Sequence, residues 1–438
     1  MSDEQKIITI ESLAYGGNGV GRYEGKAVFV PMTAPGDIVK FNAAKEKKNY
    51  VEGDLVEIID PSPIRREPPC PVFGQCGGCS WQFLPYEKQS KAKDDIFKES
   101  LWRLGTVEKE KIDDIIPAPS EWNYRNRAQF KARFVEGKLH LGFYKRKSHF
   151  VIDLESCPIM SPLINTMMAR LKTALTSSPF RDRTPQIDIS VNDSDTKAVV
   201  IIHLTHSPTK KDKAFAKGEL TDIPELEGLF FQSGRERTLT NIFLQKKGLL
   251  SYKLSVKECD IELFFSPGGF TQVNYRQNRN LVALAVEFAS KQGVKKALDL
   301  YCGIGNFSLP LSRICDEVVA VEEYSRAIED GKNNALKAGI KNCTFIAGDA
   351  MKVIGRLNLR DFDLVLVDPP REGAATVVKN IVKEGVPLVI YVSCNPTTLA
   401  RDLRLMTRNG YEIISSQALD LFPQTYHIES ITVIRKEL

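Results

Sequence analysis

Along the first 60 residues apolar and polar positions alternate in short runs, as in KIITI, KAVFV and DIVKF, broken at Gly16-Gly17, Gly19, Gly25 and Pro35-Gly36. Period-two alternation with a turn every few residues predicts several short strands, which close most readily into a small barrel. DPSPIRREPP (60–69) reads as a linker, because prolines at this density can continue neither a strand nor a helix. A middle region, 61–262, opens with a cysteine cluster and carries a helical segment at about 86–104 that can pack against the C-terminal part of the chain. From about 263 the pattern changes to apolar runs separated by helix-period segments: KKALDLY, EVVAVE, CTFIAGD, FDLVLVD and PLVIYVS. Strands alternating with helices imply a parallel sheet, so the chain is expected to be multidomain α/β, with 263–438 as its Rossmann-like part. The strand ends carry Asp299, Glu322, Asp349, Asp368 and Ser393. In an open α/β sheet the crevice beyond these carboxyl ends is where ligands bind.

The length of 438 residues fits two or three such units, and 42% apolar with 26% charged residues describes a globular protein. No run of about 20 apolar residues is present, which excludes a spanning helix. MSDEQKIITI lacks the basic-then-apolar layout of an export signal, so a cytoplasmic location is expected. Nine cysteines in a reducing compartment then point to metal binding or catalysis rather than disulfides. A net charge of +5 is too mild to indicate nucleic acid by itself, so the distribution of charge must decide.

LDLYCGIGNFSLPL (298–311) is a strand, a Gly loop and a helix start, with Ser308 where a dinucleotide fingerprint has its third glycine. Glu322 lies about 20 residues on, where a carboxylate grips ribose hydroxyls, and Asp349 stands at the next strand end. Two acids without a phosphate-binding Lys or Arg suit a ribose-bearing cofactor that has no phosphates. S-adenosylmethionine fits this, whereas NADP and ATP fit poorly. LVDPPREG (366–373) adds a rigid Asp-Pro-Pro turn at the cleft floor. Amino-group methyltransferases place an aromatic residue after the two prolines; Arg371 occupies that place here, which speaks against N-methylation.

PLVIYVSCNPTTLARDL (387–403) sets Cys394 at the tip of an apolar strand, before an Asn-Pro turn and a helix. A thiolate there can add to carbon 6 of uracil and so make carbon 5 nucleophilic toward a methyl sulfonium. A carboxylate must then remove the carbon 5 proton so that the thiol can leave. Glu429 immediately precedes the final strand, SITVIRK, which in the usual methyltransferase sheet runs antiparallel beside the strand ending at Ser393. Glu429 therefore reaches the edge that holds Cys394. The site is expected to favour the thiolate, helped by the helix that starts near Thr397. His427 reads as structural and Cys302 as packing.

CPVFGQCGGCSWQ places Cys70, Cys76 and Cys79 at C-x5-C-x2-C, and ESCPIM adds Cys157. Four thiolates can hold zinc or an iron–sulfur cluster, and spacing alone does not choose. The C-x3-C-x2-C spacing of radical enzymes is absent. Between these cysteines, YRNRAQFKARFVEGKLHLGFYKRKSHF (124–150) has eight Lys or Arg against one Glu, interleaved with Phe and Tyr. Such a stretch can track phosphates and stack on unpaired bases. It also reads as an amphipathic hairpin, and both hold if the aromatics pack inward and the bases face RNA.

GGFTQVN, LDLYCGIGNFSLPL, LVDPPREG, VSCNPTTLARDL and LDLFPQTYHIES together resemble the RNA uracil-C5 methyltransferase family over nearly the whole chain. The resemblance implies a class I methyltransferase domain with a mixed seven-stranded sheet over 263–438, a central α+β iron–sulfur domain over 61–262, and an OB-like TRAM RNA-binding barrel over 1–60. It implies Cys394 as nucleophile and Glu429 as base. Gln272, Tyr301, Asn306, Glu322, Asp349 and Asp368 would take cofactor or active-site positions, and Cys70, Cys76, Cys79 and Cys157 would hold a 4Fe–4S cluster. Family members acting on the transfer-RNA T loop in many bacteria lack both barrel and cysteine cluster, a ribosomal RNA member has both, and some archaeal-type relatives with both modify transfer RNA. The expected substrate is therefore 23S ribosomal RNA, with transfer RNA as the alternative and a non-catalytic RNA-binding assembly factor as a third reading. No membrane or obligate protein partner is implied, and a monomer is expected.

Overall fold

The computed structural model describes residues 6–234, 238–244, 250–256 and 259–437. At the N-terminus, strands Lys6–Leu13, Asn18–Tyr23, Lys26–Pro31, Ile38–Glu46 and Tyr50–Asp60 close into a barrel in which the fifth strand lies between the third and the fourth. Alternate positions Ile8, Ile10, Val28, Val30, Val39, Phe41 and Val51 fill it, as period-two patterning requires.

The middle of the chain builds a seven-stranded sheet in the order Thr238–Leu244, Leu226–Ser233, Ala198–His203, Gln186–Val191, Arg127–Val135, Lys138–Tyr144 and Val151–Asp153. Helix Pro162–Thr176 packs on it through Ile164, Met167, Met168 and Leu171. The helix starts where the sequence dictates: the Ser161 side chain accepts from the Ile164 N–H, and Pro162 at the first position has no N–H to lose.

The C-terminal sheet runs Cys343–Ala347, Glu317–Glu322, Lys296–Leu300, Leu364–Val367, Leu388–Ser393, Glu429–Lys436, Tyr411–Leu419 and Ile112–Ile116. The first five are mutually parallel, and Glu429–Lys436 is antiparallel to both of its neighbours. Strand order reverses between Lys296–Leu300 and Leu364–Val367, which opens the crevice at their carboxyl ends. The sheet has eight strands where seven were expected. The additional strand, IDDII, comes from the middle of the sequence and pairs parallel with Tyr411–Leu419, Ser416 opposite Ile112. Five residues with two acids give almost no periodic signal; the open edge of the sheet supplies the pairing. Helix Tyr86–Gly105 lies with the same unit, against helix Pro396–Thr407, and a Cβ at Gly105 would come within 3.3 Å of the Ala400 Cα. The hairpin Leu250–Val256/Cys259–Phe265 adds Tyr252, Ile261 and Leu263 to the same core. Among the described residues no helix is long and apolar enough to cross a membrane.

Candidate active site

Leu388–Ser393 and Glu429–Lys436 pair antiparallel with Ser393 opposite Ser430, the last registered pair; Cys394, in the bend that follows, and Glu429 both adjoin that pair, and the Glu429 charge reaches the thiol. Cys394 is half-buried and Glu429 only 3% exposed. Asn395 caps the following helix, accepting from the Thr397 N–H, and Pro396 is its first residue. The Asn395 Nδ2 and Thr398 Oγ1 both donate to the Arg371 carbonyl, each at 3.3 Å, which ties the Asp-Pro-Pro turn to the cysteine loop.

The electrostatics differ from expectation. Burial pushes the Cys394 thiol up to about 11, with Glu429 adding to the effect and Arg371 opposing it, so the helix start does not make a thiolate. Burial, and then Asp368, raise the Glu429 carboxyl well above its usual range, while Arg371 pulls it down. Burial thus favours the neutral form of each group, and Arg371 is the cation that favours the charged form of each. Sequence reading had weighed Arg371 only as a departure from N-methylation motifs. Burial lowers the His427 ring to about 4, so it is neutral between Phe422 and Tyr426.

The acids meet at the strand ends as expected. Glu322 accepts from the Gly303 N–H (3.1 Å) and the Tyr324 N–H (2.9 Å), bracing both loops that flank the cleft. Asp349 caps helix Ala350–Ile354 through the Lys352 N–H, and its charge reaches Tyr301, which follows strand Lys296–Leu300 at φ 67°. The Asp368 N–H donates to the Leu300 carbonyl at 3.3 Å, and burial raises its carboxyl to about 7. Gln272 sits before helix Tyr275–Lys291 on a segment pinned by Asn126, whose Nδ2 donates to the Gln272 carbonyl at 3.0 Å. Asn306 is bonded within the protein. Its Oδ1 accepts from Tyr252 (2.9 Å) and Asn278 (2.8 Å), and its Nδ2 donates to Asn278, leaving one N–H. Its side chain holds the Gly loop onto the adjoining helix and hairpin.

Asp299, named at a strand end by sequence reading but not among the cofactor positions the resemblance implies, is fully buried near the end of strand Lys296–Leu300. One carboxylate oxygen accepts from the Ser308 hydroxyl, the other has no partner, and burial pushes the group up to about 7. An orphaned buried acceptor in this crevice suits a donor group on a ligand. Its sequence signal was present: an acid four residues before the first glycine of the loop, Gly303.

Cys70, Cys76, Cys79 and Cys157 line one cavity of about 120 Å³ together with Val72, Phe143 and Met160. Gly77 N–H to the Tyr144 carbonyl (3.0 Å) and an isolated bridge between Cys76 and Lys145 fasten the cysteine loop to the basic hairpin. Burial raises Cys79 to about 12 and Cys157 to about 11. Among the described residues no three or more His, Cys, Asp or Glu converge as they would on a single metal ion. In the hairpin Ala128, Phe130 and Ala132 face the core while Arg127, Lys131 and Arg133 alternate outward, so the aromatic-in, basic-out reading holds at these positions.

The sequence profile described as tRNA (Uracil-5-)-methyltransferase matches residues 85–437, and that of the TRAM domain matches 4–56. The chain belongs to this methyltransferase family. Curated relatives named 23S rRNA (uracil(1939)-C(5))-methyltransferase RlmD include one from Legionella pneumophila, 35% identical over 98% of this chain and 96% of its own. Another, from Nitrosospira multiformis, is 34% identical over 98% of both. In fold, the chain is similar to the Pyrococcus abyssi tRNA (uracil-54, C5)-methyltransferase crystallised with S-adenosyl-L-homocysteine. The TM-score is 0.76 and the identity 23%, covering 98% of this chain and 100% of the other.

Proposed function

We propose that this methyltransferase acts on carbon 5 of a uridine in structured RNA, with 23S ribosomal RNA as substrate. The observation that carries the reading is the register that brings Cys394 and Glu429 together beside the Ser393–Ser430 pair, at the cofactor edge of the sheet. S-adenosylmethionine, when bound, supplies an electrophilic methyl group; Asp299, Glu322, Asp349, Asp368, Tyr301 and Gln272 would hold it, and the unpartnered Asp299 oxygen suits one of its donors. The Cys394 sulfur gives its proton to solvent and bonds as thiolate to carbon 6, which puts the electron pair of the 5,6 double bond on carbon 5; carbon 5 then takes the methyl group and the demethylated cofactor is released. After methylation the Glu429 carboxylate takes the carbon 5 proton, and the carbon 6–sulfur bond breaks to restore the aromatic ring. Arg371 favours the two charged forms the cycle needs, the thiolate first and the carboxylate second. The basic hairpin and the barrel are the RNA surfaces, and the enzyme works as a cytoplasmic monomer.

The group we assign to the four-cysteine cavity is a 4Fe–4S cluster: Cys70, Cys76, Cys79 and Cys157 line one space of about 120 Å³, and four thiols are the donor set such a cluster takes. The group would tie the loop after the linker to Cys157 and the hairpin.

The test is RNA carrying 5-fluorouridine. With no proton at carbon 5 for Glu429 to remove, methylated RNA should stay bonded to Cys394. Methyl transfer without any adduct would sink the covalent mechanism. Transfer RNA is the second reading, favoured by the family profile and the archaeal fold neighbour. Mapping 5-methyluridine in ribosomal and transfer RNA from a deletion strain separates the two.

A further inference from the structure

The loop joining the first two barrel strands does not end in solvent; it reaches the cysteine loop of the catalytic sheet. The Tyr15 hydroxyl donates to the Cys394 carbonyl at 3.3 Å across 379 positions of sequence. Its ring packs edge-on against Tyr426, centroids 5.7 Å apart, three residues before Glu429. We infer that Tyr15 is a positioning residue for the nucleophile: the RNA-binding barrel orients the Cys394 peptide through this hydroxyl. The inference rests on the covalent reading above.

Three observations make the contact a built one. Gly16 and Gly17 adopt φ values of 101° and 89°, which only glycine takes without strain, so the turn beside Tyr15 is sharply set. A Cβ on Gly17 would lie 3.0 Å from the Tyr426 ring and 3.2 Å from Ser80, so there is no slack in the seat. The Gly17 carbonyl accepts from the buried Trp81 indole N–H at 3.1 Å, while the Ser80 and Trp81 N–H groups donate to the Gln424 carbonyl at 2.9 and 3.1 Å. The segment after Cys79 thus grips the barrel turn with one hand and the loop leading to Glu429 with the other. Burial, helped by Cys394, raises the Tyr15 phenol to about 12, so it stays a donor across the working pH range.

The consequence is a split between binding and chemistry. Removing the hydroxyl leaves the barrel and its RNA surface intact, but frees the peptide that aims the sulfur at carbon 6. The test compares wild type, Tyr15→Phe and Gly17→Ala in single turnover with a 23S ribosomal RNA transcript containing 5-fluorouridine and with S-adenosylmethionine. The adduct rate constant at saturating RNA should fall about three- to tenfold in Tyr15→Phe, the worth of one neutral hydrogen bond, with RNA affinity and melting temperature unchanged. Gly17→Ala, which displaces the turn while keeping the hydroxyl, should slow the same step. A Tyr15→Phe rate equal to wild type, or a loss that vanishes at saturating RNA, overturns the inference while the covalent mechanism stands. A wild-type enzyme that methylates this RNA without forming the adduct overturns the mechanism instead.

Discussion

The Ser430 hydroxyl donates to the Ser393 carbonyl at 3.0 Å, reinforcing the last registered pair of the two strands that carry the candidate nucleophile and base. A one-residue slip would turn Glu429 to the other face of the sheet, so register is the structural requirement of the chemistry. With the pair intact, the two steps should separate by mutation. Cys394→Ala should form no adduct and lose methylation by more than about a hundredfold. Glu429→Gln should still methylate once and accumulate methylated RNA bonded to protein, visible as a shifted band on a denaturing gel. Wild-type turnover by Glu429→Gln would remove Glu429 from the base role.

The pH dependence follows from the thiol. Burial and Glu429 hold Cys394 at about 11, so below that pH the thiol is neutral and the thiolate fraction grows with each unit of pH. Glu429, also raised, ionises in the same direction. The adduct rate at subsaturating RNA should therefore climb from pH 6.5 to 9, by about tenfold per unit where the thiol alone limits. Arg371→Gln removes the cation that lowers both groups and should slow adduct formation by a similar factor across that range, since the thiol is far below its pKa throughout. A flat profile in single turnover would show that thiol ionisation does not limit addition.

The barrel, the parallel strands and the acids at their ends were legible because each depends on local pattern: alternation, apolar run length and the residue that ends a strand. Asn306 shows the limit of that legibility, since its place in the Gly loop was readable but its bonds to Asn278 and Tyr252 depend on a helix and hairpin that no local pattern brings together. Tyr15 and Cys394 meet only after three units have docked, and the strand Ile112–Ile116 exists because an open sheet edge accepts it. The raised thiol was misjudged for a related reason: the helix start is visible in the Asn-Pro sequence, but the burial that outweighs it is not.

Metal content offers a prediction independent of activity. Anaerobically purified protein should be brown and yield iron and labile sulfide in equal amounts. Cys79→Ser and Cys157→Ser should each lose both, and should also melt at lower temperature. The cavity they leave sits between the cysteine loop and the hairpin that Gly77 and Cys76 fasten together. Stoichiometric zinc with no iron would overturn the cluster and leave the fold unchanged.

Lys93 and Asp420 form an ion pair at 2.6 Å with both side chains wholly buried, and the Lys93 ammonium also donates to the Phe422 carbonyl at 3.0 Å. Burial pulls the lysine pKa down while Asp420 holds it up, so the cation survives only because its partner is there. The pair pins helix Tyr86–Gly105 to the start of the loop that leads to Glu429. Lys93→Met should cost about 3–5 kcal/mol, because it strands a buried carboxylate. Lys93→Met with Asp420→Asn removes the uncompensated charge and should recover most of the loss at pH 8. Urea unfolding at pH 5.5 and 8 measures all three proteins; a single variant within about 1 kcal/mol of wild type at both pH values would mean that water already reaches the pair.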